Sequence, residues 1–422
     1  MKQLGIPSLL LSVALLLGGS AIFSVVRLQS LSMHPILVPL AKAVPDSYFG
    51  MTLHNYKTTT AWPSIPIASL RTWDTAVNWA DIQPSPNTYL WSNLDSLLDV
   101  AQKHGVDLVF TFGRTTRWAS ASPDSKSPYG PGQCAPPANV KYWEDFLRTV
   151  VAHANGRIRF WETWNEPQSP DSTVYCGDLA TMVDLQRRTY EIVKTSVPGA
   201  MVLTPAPTGG YGPPWMSRFL GAGGGKYADI MAFHGYLAPG SSPELIIATI
   251  SKFKTVFAEN GQEMKPMWDT EAGWGEDRSL SDPDLQASFL AKFYLLHWSA
   301  GVARFYWYAY DNNKWGTLWD PKNGLHKAGV AYREIHRWMQ GAIMTAPCTL
   351  VRSLWTCNLV RENGYRALVL WSAAEDSRDA SPASVPDEFR QSRDLDGNLQ
   401  KVIAGGVAIS STPILVETAT AF

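Results

Sequence analysis

From residue 47 onward, the chain alternates short apolar runs with longer amphipathic segments. The apolar runs have the length and composition of β-strands, and the segments between them have the 3.6-residue period of helices. Strands that alternate with helices favour a parallel sheet, and eight of them over about 290 residues predict a (β/α)8 TIM barrel of the α/β class. The strand candidates are Tyr48–Leu53, Ser69–Trp73, Asp107–Phe112, Ile158–Trp164, Ala200–Thr204, Asp229–Tyr236, Pro266–Thr270 and Arg304–Tyr310. The helix candidates include Trp91–His104, Val140–Ala154, Leu179–Ser196, Pro243–Asn260 and Asp284–Ala300.

The pattern changes after about Gly341, where short segments alternate between apolar and polar positions. Asn-Gly at 363–364 and Asp-Gly at 396–397 are typical hairpin turns between such segments. The sequence therefore predicts a small antiparallel, β-sandwich-like domain over residues 341–422, after a barrel over residues 44–340. We expect this domain to brace the barrel, with ligand binding as the alternative. Its strand candidates are Thr349–Trp355, Tyr365–Trp371, Phe389–Asp394 and Pro413–Glu417.

Residues 1–43 contain an apolar segment that predicts export from the cytoplasm. Residues 5–26 carry no charged side chain, and Lys2 and Arg27 flank them. This length can span a bilayer, but it also fits a secretory signal, with small-residue cleavage sites at 19–21 or 41–43. Both interpretations place the rest of the chain outside the cytoplasm, whether secreted, periplasmic or anchored and facing outward.

The four cysteines fit an oxidising compartment. Of the three possible connectivities, we favour Cys134 with Cys176, which fall in two loops at one end of the predicted barrel. The remaining pair, Cys348 and Cys357, lies nine residues apart across a predicted turn. No cysteine or histidine cluster has the spacing of a metal site.

Composition narrows the class of ligand. With 36 basic and 37 acidic residues, the net charge of −1 excludes strong attraction to nucleic acid. Hydrophobic residues make up 45% of the chain and charged residues 17%, which excludes a disordered protein. The chain also contains 18 tryptophans, and so many aromatic rings suggest a surface that stacks on sugar rings.

Two glutamates fall where the chemistry of a parallel barrel is concentrated, at the carboxyl ends of strands. Glu166 follows the fourth strand candidate in the sequence WNEP at 164–167, and Glu271 ends the seventh in TEAGWG at 270–275. A carboxylate pair about 5–5.5 Å apart is what a retaining glycosidase needs, whereas a separation above about 6.5 Å favours inversion.

These motifs and their order resemble the clan A glycoside hydrolases, in particular a family 39-like branch. The resemblance covers about residues 46 to 345 and extends into the C-terminal β-domain. The further segments that carry it are RTWDTAVNWADIQP (71–84), VFTFGRTTRWAS (109–120), FHGY (233–236), YWYAYDN (306–312), RDLDGN (393–398) and PILVE (413–417).

The resemblance implies that Glu166 is the catalytic acid/base and Glu271 the nucleophile. It further implies that Asn165 binds the sugar 2-hydroxyl, a contact that strengthens in the transition state. Tyr236 would donate to Glu271 and keep it ionised. His234, which shares the inward parity of Tyr236, would line the same subsite.

Four further positions are expected in or beneath the site. Arg71 on the second strand would favour the ionised nucleophile, and Trp307 on the eighth would form a stacking floor. Glu162 and Asp269 share inward parity with the catalytic pair but lie deeper, so we expect them in a buried polar network.

Tryptophans near the strand ends are the candidates for outer subsites. Trp118 and Trp274, like Trp73 and Trp79, fit either core packing or sugar stacking. Trp315 and Trp319 lie in the loop after the eighth strand, where stacking on sugar is the favoured interpretation.

We therefore expect a retaining, endo-acting glycoside hydrolase that cleaves an extracellular or cell-surface polysaccharide as a monomer, without metal or organic cofactor. One alternative is a catalytically inactive envelope polysaccharide-binding protein on the same barrel. Another is a metal-dependent barrel hydrolase, but only His234 among eight histidines falls at a suitable strand end. The sugar stays open among xylosides, iduronides and exopolysaccharides. A basic pocket for uronates is not evident in the sequence, and Arg114, Arg117 and Lys314 are candidates for one.

Overall fold

The structure is a computed structural model that describes residues 37–56, 62–168, 174–373, 381–402 and 406–418. The predicted export segment at 5–26 and its cleavage site at 19–21 lie outside these ranges. Among the helices of the described residues, none combines the length and the apolarity that crossing a bilayer requires.

Eight parallel strands in the first part of the described chain form a closed sheet. Their order is β5-β4-β3-β2-β1-β8-β7-β6, and a parallel bridge between Leu203 and Ile230 closes the ring between β5 and β6. Each strand falls within or overlaps its predicted segment, so the predicted TIM barrel is confirmed. The strands are β1 (Phe49–Met51), β2 (Ser69–Arg71), β3 (Asp107–Thr111), β4 (Phe160–Glu162), β5 (Met201–Leu203), β6 (Met231–Phe233), β7 (Met267–Ala272) and β8 (Arg304–Trp307).

Helices cover the outside of the barrel and begin at recognisable caps. The side chain of Asn139 accepts from the backbone N–H of Lys141, and Asp178 accepts from Thr181 in the same way. The predicted helix at 243–260 begins late, because residues 243–245 form a 3-10 turn. The helices are α1 (Trp79–Ile82), α2 (Ser92–His104), α3 (Val140–Ala154), α4 (Leu179–Ser196), α5 (Gly212–Gly221), α6 (Ile246–Glu259), α7 (Pro283–Ser299) and α8 (Lys327–Met339).

Side chains fill the barrel interior from its base upward. At the base, the Arg304 guanidinium lies 4.6 Å from the ring centroid of Phe160 and 4.5 Å from that of Trp268. Above it, the ring of Tyr306 packs so closely on Gly50 that a Cβ there would lie 2.4 Å from the ring. The core therefore closes the lower barrel and leaves its upper, carboxyl-terminal end for a functional site.

The C-terminal strands form a second, antiparallel layer. The main sheet has the order β11-β13-β14-β19-β16-β17, with β12 added on β13, while β15 pairs with β18 in a separate two-stranded sheet. Leu370, Phe389, Val407, Ile409 and Val416 form a small apolar core between them. After the hairpin β9 (Trp319–Asp320) and β10 (Gly324–Leu325), the strands are β11 (Ile343–Met344), β12 (Thr349–Val351), β13 (Leu354–Val360), β14 (Arg366–Ser372), β15 (Ser381–Ala383), β16 (Gln391–Arg393), β17 (Leu399–Lys401), β18 (Val407–Ile409) and β19 (Ile414–Glu417).

One strand prediction in this domain is wrong. The segment 349–355 is not one strand but two, β12 and the start of β13, which pair with each other as a hairpin. The chain reverses at Arg352, whose φ of 59° lies in the left-handed region that a continuous strand cannot contain. The alternation of apolar residues continues across this turn, which hides it in the sequence.

The β-domain contacts the barrel helices through specific hydrogen bonds. Arg361 donates to the backbone carbonyls of Arg337, Trp338 and Gln340 at the end of α8. The indole N–H of Trp371 donates to Glu244 at 2.8 Å. These contacts support the expected bracing role.

The structure contains two disulfides, and both follow the favoured pairing. Cys134 is bonded to Cys176, which joins the loop after β3 to the loop after β4. Cys348 is bonded to Cys357 on β13.

Candidate active site

Glu166 is held at the carboxyl end of β4 by an irregular backbone. Its φ is 41° and that of Trp164 is 121°, values that residues other than glycine rarely adopt. The Glu166 backbone N–H donates to the carbonyl of Ala206, which ties the segment to the loop after β5. Its carboxylate Oε1 lies 2.9 Å from Nδ1 of His234.

A β-bulge directs Glu271 toward the same place. Asp269 pairs with Phe305 and Ala272 with Trp307, so two residues of β7 oppose one residue of β8. Such a bulge re-aims side chains relative to regular alternation. Thr270 faces the interior, where it donates to Glu162, and Glu271 reaches the cleft above it.

The two glutamates meet at the mouth of the barrel. One carboxylate oxygen of Glu166, one of Glu271 and one ring nitrogen of His234 lie within 4.8 Å of one another. Both carboxylates line an open cleft of about 720 Å³, which we call the active-site cleft. Its lining includes Asp74, Asn165, Glu166, Tyr236, Glu271, Trp274 and Trp315.

A fully buried arginine connects these groups. Arg71 Nε donates to Glu162 at 2.8 Å, Nη1 to Glu271 at 2.7 Å and Nη2 to the Asn165 side-chain carbonyl at 2.7 Å. Glu162 also accepts from Thr111 and Thr270, so its carboxylate belongs to the predicted buried network. Because the Asn165 carbonyl is occupied, its amide N–H₂ is the group oriented to donate into the cleft.

The two carboxylates differ in their surroundings. Burial raises the pKa of Glu166 to about 7, and the charge of Arg71 only partly opposes this rise. Burial also raises the pKa of Glu271, although the neighbouring His234 and the charge of Arg71 oppose part of this rise. The second oxygen of Glu271 accepts from the Tyr236 hydroxyl at 3.1 Å, as expected for a carboxylate that acts in its ionised form. Burial lowers the pKa of His234, so this ring is neutral beside Glu166.

The cluster of Glu166, His234 and Glu271 is compact enough to be considered as a cation site. However, the Arg71 guanidinium already lies 2.7 Å from one oxygen of Glu271, and Tyr236 occupies the other. A metal ion would have to compete with a fixed positive charge, so these residues fit proton transfer and nucleophilic attack better than metal binding.

Comparison with known proteins agrees with this geometry. The family model described as "Glycosyl hydrolase catalytic core" matches residues 121–332, half of the chain. The chain belongs to this family. It is a glycoside hydrolase, and the predicted resemblance to clan A is confirmed.

Solved structures of similar fold include three glycoside hydrolases. A family 39 enzyme from Bacteroides cellulosilyticus WH2 has a TM-score of 0.70 at 17% identity, over 91% of this chain and 82% of that one. A monomeric β-xylosidase from Caulobacter crescentus CB15 has a TM-score of 0.65 at 16% identity, over 89% and 97%. A family 30 endoxylanase from Clostridium papyrosolvens C71 has a TM-score of 0.59 at 10% identity, over 90% and 98%.

Trp307 does not form a stacking floor in this glycoside hydrolase, so that prediction is wrong. The residue is fully buried, and its indole N–H donates to the Gly316 carbonyl at 2.8 Å. Its ring packs against Trp274 and Tyr294 on the outer face of the sheet. The inward positions of β8 belong to Tyr306 and the residues two apart from it, so Tyr308 lines the cleft instead.

The other predicted tryptophans divide between the cleft and the core. Trp274 and Trp315 line the cleft, and Trp315 meets Tyr236 edge to face. Trp118 packs edge to face on Trp79 and donates to a backbone carbonyl, so it is a packing residue. Trp319 does not line the cleft but stacks on Tyr310, which overturns its assignment as an outer subsite.

Asp269 does not share the inward parity predicted for it. Its carboxylate Oδ2 lies 2.8 Å from Nε2 of His297 on α7, and Oδ1 accepts from the Gly235 N–H. Trp268 and Thr270 hold the inward positions of β7, which leaves Asp269 on the helix side. Asp269 therefore links β7 to α7 and to the segment after β6 on the outer side of the barrel.

Asp74, Tyr129 and Tyr308 also line the cleft beside the two glutamates, although the sequence did not predict them there. Asp74 follows β2 as Glu166 follows β4, so its position after a strand was an available signal. Tyr129 lies in a long loop with no periodic pattern, and only the folded chain brings it to the cleft.

We predict that Arg71→Met costs about 3–5 kcal/mol in the free energy of unfolding, because removal of one buried charge leaves Glu162 and Glu271 unpaired. Urea denaturation at pH 7 measures this loss. As the control, Arg187→Met removes a cation on the outer face of α4 whose carboxylate partners are partly exposed, and it should cost at most about 1 kcal/mol. Equal losses in both variants would contradict the role given to Arg71.

Proposed function

We propose that this glycoside hydrolase retains the anomeric configuration of its substrate through double displacement. The observation that carries the proposal is the approach of the Glu166 and Glu271 carboxylates to within 4.8 Å. Inverting enzymes separate their carboxyl groups by about 6.5–9.5 Å to admit a water between carboxylate and sugar. The shorter distance suits a carboxylate that attacks the sugar directly.

In the first step, the Glu271 carboxylate attacks the anomeric carbon while Glu166 gives its proton to the leaving oxygen. The pKa of about 7 lets Glu166 carry that proton near neutral pH. Formation of the glycosyl ester removes the negative charge of Glu271, so the pKa of Glu166 falls. Glu166 then acts as the base that takes a proton from water as the ester is hydrolysed.

The neighbouring residues position these two groups. Asn165, oriented by Arg71, donates its amide to the sugar 2-hydroxyl. Tyr236 and Arg71 direct the two oxygens of Glu271 and favour its ionised form. His234 holds Glu166 through the contact at 2.9 Å.

We infer that the substrate is an extracytoplasmic polysaccharide, cleaved internally by a monomeric enzyme. The open cleft of about 720 Å³, with Trp274 and Trp315 on its walls, supports binding of more than one sugar unit. The two disulfides fit an oxidising location outside the cytoplasm, with export or membrane anchoring through residues 5–26. The lengths of products from a polysaccharide panel distinguish internal from terminal cleavage.

We predict that Glu271→Ala lowers turnover of an activated aryl glycoside by more than about 1,000-fold, because no nucleophile remains for the first step. Azide should fit the vacated space and restore turnover, and the glycosyl azide should have the inverted configuration. The matched control is Glu259→Ala, which removes an exposed glutamate at the end of α6. Undiminished activity in Glu271→Ala would remove Glu271 from the mechanism.

We predict an alkaline limb in the pH profile of kcat/KM near pH 7, because Glu166 must be protonated to act as the acid. Above that pH, kcat/KM should fall about tenfold per pH unit. In Glu166→Ala, a substrate with a good leaving group needs no acid, so the alkaline limb should disappear while slow turnover remains. The same limb in both enzymes would show that another group titrates there.

A further inference from the structure

The charged groups that line the active-site cleft are mainly carboxylates, which accept hydrogen bonds, rather than cations. Among the described residues that line it, four are acidic, and the basic one is Arg278. The Arg278 side chain is 85% exposed at the cleft mouth and pairs with Glu276, one of the four acids. Arg71 lies beneath the cleft, fully buried and bonded to three acceptors. An anionic sugar would therefore meet carboxylates, with no unpaired cation among the lining residues that the structure describes.

Two of the four acids take no part in the double displacement: Glu276, which pairs with Arg278 at the cleft mouth, and Asp74 in the cleft wall. The Asp74 side chain is 23% exposed, and it ion-pairs with Arg114 through one carboxylate oxygen. The other oxygen accepts from the Tyr308 hydroxyl at 2.8 Å. His54 approaches this same oxygen at 3.9 Å.

The cations that hold Asp74 lie behind it. The Arg114 guanidinium lies 3.8 Å from the Tyr129 ring centroid and 4.7 Å from that of Trp73, and these two rings, not Arg114, line the cleft. His54 lies between Asp74 and Asp311 and is absent from the lining. This arrangement fixes a carboxylate with its exposed surface toward the cleft.

The charges keep Asp74 ionised. Burial alone would raise the pKa of Asp74, but the neighbouring His54 and the charge of Arg114 lower it to about 2. Burial alone would lower the pKa of His54, but Asp311 and Asp74 together raise it to about 9. Asp74 can therefore accept, but not donate, hydrogen bonds at neutral pH.

We propose that the cleft selects neutral, hydroxyl-bearing sugars and excludes uronates, with Asp74 as a specificity-determining residue that accepts hydrogen bonds from sugar hydroxyls. The inference rests on the proposed glycosidase function and names the substrate class of the same site. Hydrogen bonds between hydroxyls and a carboxylate are among the stronger ones in proteins. A sugar carboxylate would instead face the negative charges of Asp74 and Glu271 in a site partly shielded from water.

The three basic residues that the sequence offered for a uronate pocket do not form one. Arg114 is already paired with Asp74 behind the cleft wall. Arg117 ion-pairs with Asp124, and both side chains are mostly exposed. Lys314 is not among the residues that line the cleft, and the Asp277 N–H donates to its backbone carbonyl.

The test compares pairs of aryl glycosides of both anomeric configurations, whose members differ only in a CH₂OH or a COO⁻ group at C5. For the wild-type enzyme, we expect kcat/KM for the neutral member to exceed that for the uronide by at least about 100-fold. Asp74→Asn should lower kcat/KM for the neutral member by about 10- to 100-fold, mainly through KM, and narrow the gap to the uronide.

Asp145→Asn serves as the matched control, since it removes a carboxylate that pairs with Lys141 on the exposed face of α3. It should leave both the rates and the preference unchanged. Thermal denaturation checks that Asp74→Asn is folded, and the wild-type preference tests the proposal even if that variant is not. A wild-type enzyme that cleaves uronides as well as neutral glycosides overturns this inference but leaves the glycosidase intact. Failure to cleave any glycoside would contradict the proposed function and this inference together.

Discussion

The guanidinium of Arg71 is the interaction on which the active site depends. It joins β2 to β4 and β7 by bonding to Glu162, Asn165 and Glu271 in a space without solvent. Buried charges are costly unless every donor and acceptor is satisfied. The arginine meets that condition by placing its planar guanidinium against three acceptors at once, which fixes Glu271 and the Asn165 amide beside Glu166 in one geometry.

The site also requires departures from regular structure. The bulge in β7 directs Glu271 to the cleft, and positive φ values at Trp164 and Glu166 allow the segment after β4 to turn across the barrel mouth. Such conformations persist where the surrounding structure enforces them. Here the enforcing contacts include the Glu166 N–H to Ala206 and the close packing of the barrel interior beneath. The closely packed lower barrel therefore helps to hold these unusual backbone conformations at the upper rim.

How much of this could be predicted from the sequence depends on the type of signal. The eight strands and the rim positions of Glu166 and Glu271 follow from apolar runs and from the place where each run ends. Side-chain direction was less predictable where a strand is irregular or short. The sequence predicts that Trp307 faces the cleft and Asp269 the interior, but on β8 the inward side belongs to Tyr306, and on β7 to Trp268 and Thr270. The placement of Asp74 in the cleft wall depends on Arg114, Tyr308 and His54. These residues lie on three separate segments of the chain, so the sequence alone does not reveal that they meet.

The most direct test of the account is the stereochemistry of the first product. Proton NMR, recorded within the first minutes of hydrolysis and before mutarotation, identifies the anomer that leaves the enzyme. If Glu271 attacks the sugar directly, as its closeness to Glu166 suggests, the first anomer to accumulate has the configuration of the substrate. Accumulation of the opposite anomer would mean that water attacks directly, and it would contradict the covalent role of Glu271.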